Sequence, residues 1–313
     1  MLLVSIAQAA QPDVAGLLPR MADSMRQLDF EGSFVYQHGG RIDALRVFHL
    51  GGQRERERLI SLTGPRSEIV RDNHKITTIQ AGTTAVLTSS GIGPQFLPLV
   101  PNGRAPALGE NYTVTVGGND RVAGFDADII DVMPRDGYRY GYRLWLERNS
   151  RMLLRSALMA PGRSQPLEEF MFVSLDLGAR PTAADLAPSA LPGGSAIQAS
   201  EIVVPQPKWR AEAPPPGFSL VRALQPAGSR TVTQQLVYSD GLASVSVYVA
   251  PQRRGERDRD GATVTRGALH VFVRIGNGLS VTALGKVPEA TVVALSRVTA
   301  SRSAMPADGM KQR

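Results

Sequence analysis

Three aspartates in GFDADIIDVMPRDG (124–137), namely Asp126, Asp128 and Asp131, come nearest to a chemical motif in this chain. On a strand, carboxylates at i and i+2 share one face and could hold a divalent cation. A calcium loop needs another oxygen at the next alternate position, and Ile130 has none. They read as solvent-facing strand acids. The four histidines, His38, His49, His74 and His270, form no pair at metal-ligand spacing and no H-E-x-x-H. Structural or surface roles are expected for each. There is no G-x-S-x-G elbow and no Walker loop. GIGPQF (91–96) and GNGLSV (276–281) begin like dinucleotide loops, but each lacks the third glycine and the following helix. The chain has no cysteine, so thiol chemistry and disulfides are excluded. Nothing here supports catalysis, so elimination favours a binding protein.

The elements that would position a binding surface follow from periodicity. Leu17, Leu18, Met21, Met25 and Leu28 recur at helical spacing after Asp13, a residue suited to cap a helix. Pro19 is awkward inside that helix, whose regular part is expected to begin there. From Phe30 to Leu177, apolar-polar alternation broken by Gly, Asn or Pro predicts a meandering antiparallel sheet. In its clearest hairpin, 137–162, Tyr138, Tyr140 and Tyr142 share a face that Leu144 and Leu146 continue, with Trp145 opposite. The segment 90–110 interrupts the meander. It is rich in Gly and Pro yet carries Ile92, Phe96, Leu97, Leu99 and Val100. Large apolar residues in a long loop predict either a plug in a core or a lid over an apolar cavity.

Residues 180–208, rich in Ala, Pro, Ser and Gly, read as a linker. A first domain over 13–179 and a second over 209–301 are expected, with a disordered tail at 302–313. In the second, Trp209, Phe218 and Val221 are candidate core anchors. Strands are predicted at 232–239, 242–250, 262–275 and 279–284, then a helix over 287–300. The first two strands flank Ser239-Asp240-Gly241, a strong hairpin signal.

The net charge is +7, and 31 of the 35 basic residues are Arg. They are interleaved with acids, as in RERER (54–58) and RRGERDRD (253–260), and form no concentrated stripe. This argues against nucleic acid and leaves solvated faces or an anionic partner as the two readings. MLLVSIAQAAQPD carries an apolar run and the small-x-small triplet Ala7-Gln8-Ala9, so residues 1–10 read as the remnant of an export signal.

The chain resembles the RseB/MucB family, periplasmic negative regulators of the sigma-E envelope-stress response. In the first half the matching segments are GPRSEIVRDN (64–73), RVAGFDADIIDVMPRDGYRYGYRLWLERNSRMLLRSALM (121–159) and LEEFMFVSLDLG (167–178). In the second they are PPPGFSLV (214–221), QQLVYSDGLASVSVYV (234–249), TRGALHVFVRIGNGLSVTALGKVP (265–288) and the closing helix. The order and spacing of these segments, more than any one of them, carry the resemblance.

The resemblance implies an α+β protein of two domains. The large one would be a curved antiparallel half-barrel with helices on its concave face, like a lipoprotein carrier; the small one would be an antiparallel sheet with a helix. It also implies a periplasmic regulatory binding protein that shields the periplasmic segment of a transmembrane anti-sigma factor from proteolysis. Lipopolysaccharide or a lipid-like ligand would release it, and a homo-oligomer is possible. The alternative is a periplasmic lipid or lipoprotein carrier. Under the first reading the hairpin would meet the partner edge to edge. Tyr238, Asp240, Leu242 and Tyr248 are its candidate contacts, while Val237, Val245, Val247 and Val249 fill the core. Ile92, Phe96, Leu97, Leu99 and Val100 are the candidate lipid-binding or lid residues.

Overall fold

The computed structural model describes residues 14–72, 75–80, 108–189, 201–227 and 233–301. The first half is one ten-stranded antiparallel sheet. Its strands are β1 (Phe30–His38), β2 (Arg41–Leu50), β3 (Arg56–Ser61), β4 (Ser67–Asp72), β5 (Lys75–Gln80), β6 (Tyr112–Val122), β7 (Phe125–Pro134), β8 (Gly141–Glu147), β9 (Leu153–Met159) and β10 (Glu168–Asp176). Their order is β5-β4-β3-β2-β1-β10-β9-β8-β7-β6, so every neighbour is sequence-adjacent except β1 and β10. That one pairing joins the two meanders, and the outer strands β5 and β6 do not meet. The sheet is therefore an open half-barrel. Register breaks at Ser33/Phe34, Val116/Gly118 and Trp145/Leu146 are bulges that bend the strands carrying them.

Helix α1 (Val14–Gln27) fills the inner face of this sheet. Leu17, Leu18, Met21, Ala22 and Met25 are all buried against Phe30, Phe34, Leu144, Phe170 and Phe172. Each larger side chain contributes about 2 kcal/mol by leaving water. Together they outweigh the roughly 3 kcal/mol cost of Pro19, so the helix runs through it. The turn after β2 closes the helix end. Gly52 N–H donates to the Arg26 carbonyl (3.2 Å), and His49 Nδ1 meets the Leu28 carbonyl at 2.8 Å. Gly51 must be glycine for this close approach, because a Cβ would lie 2.4 Å from the Gln27 carbonyl.

The second half contains β11 (Glu201–Val203), β12 (Trp209–Ala211), β13 (Ser219–Pro226), β14 (Gln234–Ser239), β15 (Ser244–Pro251), β16 (Arg259–Arg266), β17 (Leu269–Gly276), β18 (Leu279–Gly285) and β19 (Val298–Ala300). Seven of them form a sheet in the order β11-β13-β14-β15-β18-β17-β16, and β12 pairs with β19. A short helix, α2 (Leu108–Asn111), precedes β6, and α3 (Glu289–Leu295) covers one face of the seven-stranded sheet. Val245, Val247 and Val249 fill that core, as expected, with Leu236, Val281, Val292 and Leu295. Val237 lies opposite Ser246 and so faces the other way.

Several sequence expectations change here. The single strand expected over 262–275 is two strands around the turn Gly267-Ala268, and the closing helix stops before β19. Val221 is an exposed residue in a β13 bulge, not a core anchor. Tyr138 and Tyr140 precede β8 and diverge: Tyr138 packs on the small-domain core, Tyr140 against Leu158 and Ala268. Part of the linker packs on the large sheet. Leu186 is buried, Arg58 donates to the Asp185 carbonyl (3.0 Å), and Ser189 N–H donates to buried Glu68 (3.1 Å). Asp13, residues 1–10, the 302–313 tail and all five lid candidates, Ile92, Phe96, Leu97, Leu99 and Val100, lie outside the described residues.

Candidate functional site

The aspartates that opened the search for chemistry each face arginine. Asp131 accepts from Arg143 (2.7 Å), Asp128 from Arg151 (2.5 Å), and Asp126 lies 3.7 Å from Arg148. Partly exposed ion pairs of this kind hold a strand surface and contribute little stability. Among the described residues no group of His, Asp or Glu could hold a metal ion.

The densest polar constellation is the junction between the two domains, where the Asp240 turn enters the large domain. Asp240 has no exposed surface. Its Oδ1 accepts from the N–H groups of Leu242 (2.9 Å) and Ala243 (2.7 Å), which shapes the turn. Its Oδ2 accepts from Arg139 Nη1 (2.6 Å) and the Tyr112 hydroxyl (2.9 Å), both in the other domain. Arg139 is also fully buried and is held on its far side by Asp136, which accepts from Nε and Nη2 at 3.0 Å. It also donates to the Pro216 carbonyl. The guanidinium lies over the rings of Tyr112 (5.4 Å) and Phe218 (5.1 Å). Burial opposes the Arg139 charge, but the bonds to Asp136 and the charge of Asp240 more than offset it, so its pKa lies above the ordinary arginine value. Burial, then the Asp240 charge, pushes the Tyr112 phenol far up, and it stays a neutral donor.

A second polar contact bridges the domains. Lys286 Nζ donates to Glu168 (2.6 Å) and to the Tyr36 hydroxyl (2.7 Å), which itself donates to Glu168. Between the two contacts, Thr291 Oγ1 donates to the Tyr138 carbonyl (2.5 Å), and Ala268 is buried against Tyr140 and Leu158. Leu242, at the hairpin tip, packs on the large-domain core.

This geometry corrects the expected roles of the hairpin. Tyr238 is buried, and its hydroxyl accepts from Ala211 N–H (2.7 Å); it is a core residue. Asp240 is a fully buried junction residue, and Leu242 is half-buried against the large-domain core. Only Tyr248 keeps substantial exposure, 38%. Edge-to-edge addition at the hairpin is also excluded, since β14 and β15 are interior strands. Sequence reasoning missed Arg139, Tyr112, Glu168 and Lys286. The one available signal was YRYGYR, where alternation that sets three tyrosines on one face leaves Arg139 among them on the other.

Comparison with known proteins agrees with this two-domain build. The profile of the MucB/RseB N-terminal domain matches residues 13–191, and that of the MucB/RseB C-terminal domain matches 204–299. The sigma factor AlgU regulatory protein MucB of Pseudomonas aeruginosa is 32% identical over 308 residues, covering 94% of this chain and 93% of MucB. The sigma-E factor regulatory protein RseB of Haemophilus influenzae is 27% identical over 298 residues, covering 93% and 92%. The complex structure of Pseudomonas aeruginosa MucA/MucB includes a chain that superposes with a TM-score of 0.71 at 28% identity. That match covers 92% of this chain and 99% of the other. With both of its domains matched end to end, this chain belongs to the MucB/RseB family.

Proposed function

We propose that this protein is a periplasmic regulator that binds the periplasmic segment of a transmembrane anti-sigma factor and shields it from proteolysis, restraining a sigma-E-type stress response. The observation that carries this reading is the similarity, across both domains, to a MucB chain solved in complex with MucA. A family of regulatory binding proteins also suits a chain whose charged clusters are structural. Among the described residues no helix is long and apolar enough to cross a membrane.

Release by lipopolysaccharide or a similar lipid is the second part of the proposal, with residues 90–110 as the candidate lid. A lipid releases the partner only if it binds the free regulator better, and the partner then weakens lipid binding by the same factor. A tenfold release needs about 1.4 kcal/mol of coupling. Tyr248 is the hairpin residue offered as a partner contact.

The test is a titration of residues 11–313 against the periplasmic segment of the host's own anti-sigma factor, with and without lipopolysaccharide. Tight binding relieved by lipopolysaccharide is expected. Binding indifferent to lipopolysaccharide removes the release mechanism. No binding, with lipid co-purifying, moves the function to a lipid carrier. A folded Tyr248→Ala variant with unchanged affinity removes Tyr248 from the interface.

A further inference from the structure

With the hairpin in the interior, a partner strand can add to the small sheet only at β11 or β16. β11 has three residues, too few for a stable ladder. β16 has eight and pairs with β17 on one side. Among the described residues no strand pairs with its other side. There, alternate N–H and C=O groups point away from the sheet.

Exposed edges are usually blunted by bulges, proline or charge. The outer strand β6 of the large sheet has such a bulge at Val116/Gly118. The bulge of β16 affects only its start, between Arg259 and Ala262. From Ala262 to Arg266 the strand is regular, with Val264 at its centre, 65% exposed.

The side chains around this edge share one character. Register places Ala262, Val264 and Arg266 on the sheet face away from α3, beside Val273, Val271 and Leu269. Thr263 points the other way and donates to Glu289. Arg259 lies opposite Ile275. An apolar strip therefore runs between two arginines. Of the described carboxylates nearby, Glu256 accepts from Arg253 N–H (3.1 Å) and Asp258 from Gln252 (2.9 Å). Among the described side chains none neutralises Arg259 or Arg266, whereas Arg54, Arg58, Arg143, Arg151 and Arg155 of the large domain all face acids.

We infer that β16 is a strand-addition site for an extended acidic segment of the partner, with an apolar residue facing Val264 and carboxylates reaching Arg259 and Arg266. This rests on the regulatory reading above and gives it a docking mode. Backbone bonds to the edge would supply affinity, and the valine and arginines would supply selection. Arg259 and Arg266 are spaced so that the two carboxylates belong about six residues apart in the bound segment.

The same anti-sigma titration tests it with Val264→Lys and with Arg259→Glu/Arg266→Glu, each checked for an unchanged melting profile. Val264→Lys should weaken binding at least about tenfold. The double charge reversal should weaken it and flatten its dependence on salt. Hydrogen exchange on the unmodified protein gives a readout independent of any variant: amides within 262–266 should slow when the segment binds. If the wild-type protein does not bind the segment, the regulatory reading falls and this assignment with it. If the wild type binds while both variants bind equally well, or 262–266 gains no protection, the reading stands and β16 is not the site.

Discussion

Replacing Asp240 by asparagine tests what holds the two domains together. Asp240 accepts four hydrogen bonds, two from the turn and two from the other domain. Asparagine can keep its oxygen on the turn N–H groups of Leu242 and Ala243. Its amide then faces the Arg139 guanidinium, donor against donor, while the Tyr112 oxygen can turn to accept. Arg139 keeps Asp136 and the Pro216 carbonyl, so its charge is only partly abandoned. Breaking a buried ion pair costs about 3–5 kcal/mol, and the surviving Asp136 partner puts Asp240→Asn near about 3 kcal/mol. Arg139→Met strands the Asp240 carboxylate instead, with three donors left, at a similar cost of about 3 kcal/mol. Once one charge is gone, removing the other relieves the penalty. The double variant should therefore fall at least about 1.5 kcal/mol short of the sum of the singles. Urea unfolding of the four proteins, followed by circular dichroism, gives the cycle. Additivity within about 0.5 kcal/mol would refute the idea that this pair couples the domains.

Other features give sharper single readings. His49 is buried, stacked on Phe30, with its pKa raised: burial opposes the charge, but the Glu55 bond, the Glu57 charge and the Leu28 carbonyl more than offset it. Its contribution to stability is complete below the ordinary histidine value of 6.5 and fades as pH rises through the higher folded value. Glu55, held below its ordinary 4.5 first by the His49 bond, contributes above 4.5 and loses that contribution on acidification through its folded value. The pair is thus complete between 4.5 and 6.5, and His49→Gln should flatten the stability profile on both sides of that window in thermal melts. Glu68→Gln should cost about 2–3 kcal/mol, because Arg58, Arg66 and Ser189 all converge on that buried carboxylate, and limited proteolysis should then cut near 182–189. Gly217→Ala should destabilise by more than about 1 kcal/mol, since φ is +80° and a Cβ would lie 2.3 Å from Asn111 across the junction; an unchanged melting temperature would contradict that close contact.

The sequence reveals what depends on local period. The α1 stripe, the meander and the valines of β15 are legible because each buries one face of one element. What depends on distant partners is not. Asp240 reads as a solvated turn residue, and its turn bonds are indeed local, but Arg139 stands 101 positions away. Leu242 reads as an exposed hairpin tip and packs, half-buried, against the other domain's core. Tyr238 alternates correctly with Leu236, yet its phenol looked like a surface group until Ala211 supplied its buried donor. The linker misleads for the same reason: its composition is that of a spacer, and only Arg58, Arg66 and Glu68, more than a hundred residues earlier, make Ser189 an anchor.

The positive charge also becomes intelligible only by place. RERER and RRGERDRD look alike as mixed strings. In the first, Arg54 reaches Asp72 and Arg58 reaches Glu68 on neighbouring strands, so the charges hold the sheet together. In the second, Glu256 and Asp258 are drawn into the loop and toward Gln252, and Arg259 stands at the head of an open edge. A net +7 spread evenly would only keep the protein soluble. Paired with acids in the large domain and, among the described side chains, unpaired at Arg259 and Arg266, it becomes directional. A basic edge with an exposed valine attracts an acidic extended chain and repels a second copy of itself, the one partner that an unprotected edge must avoid.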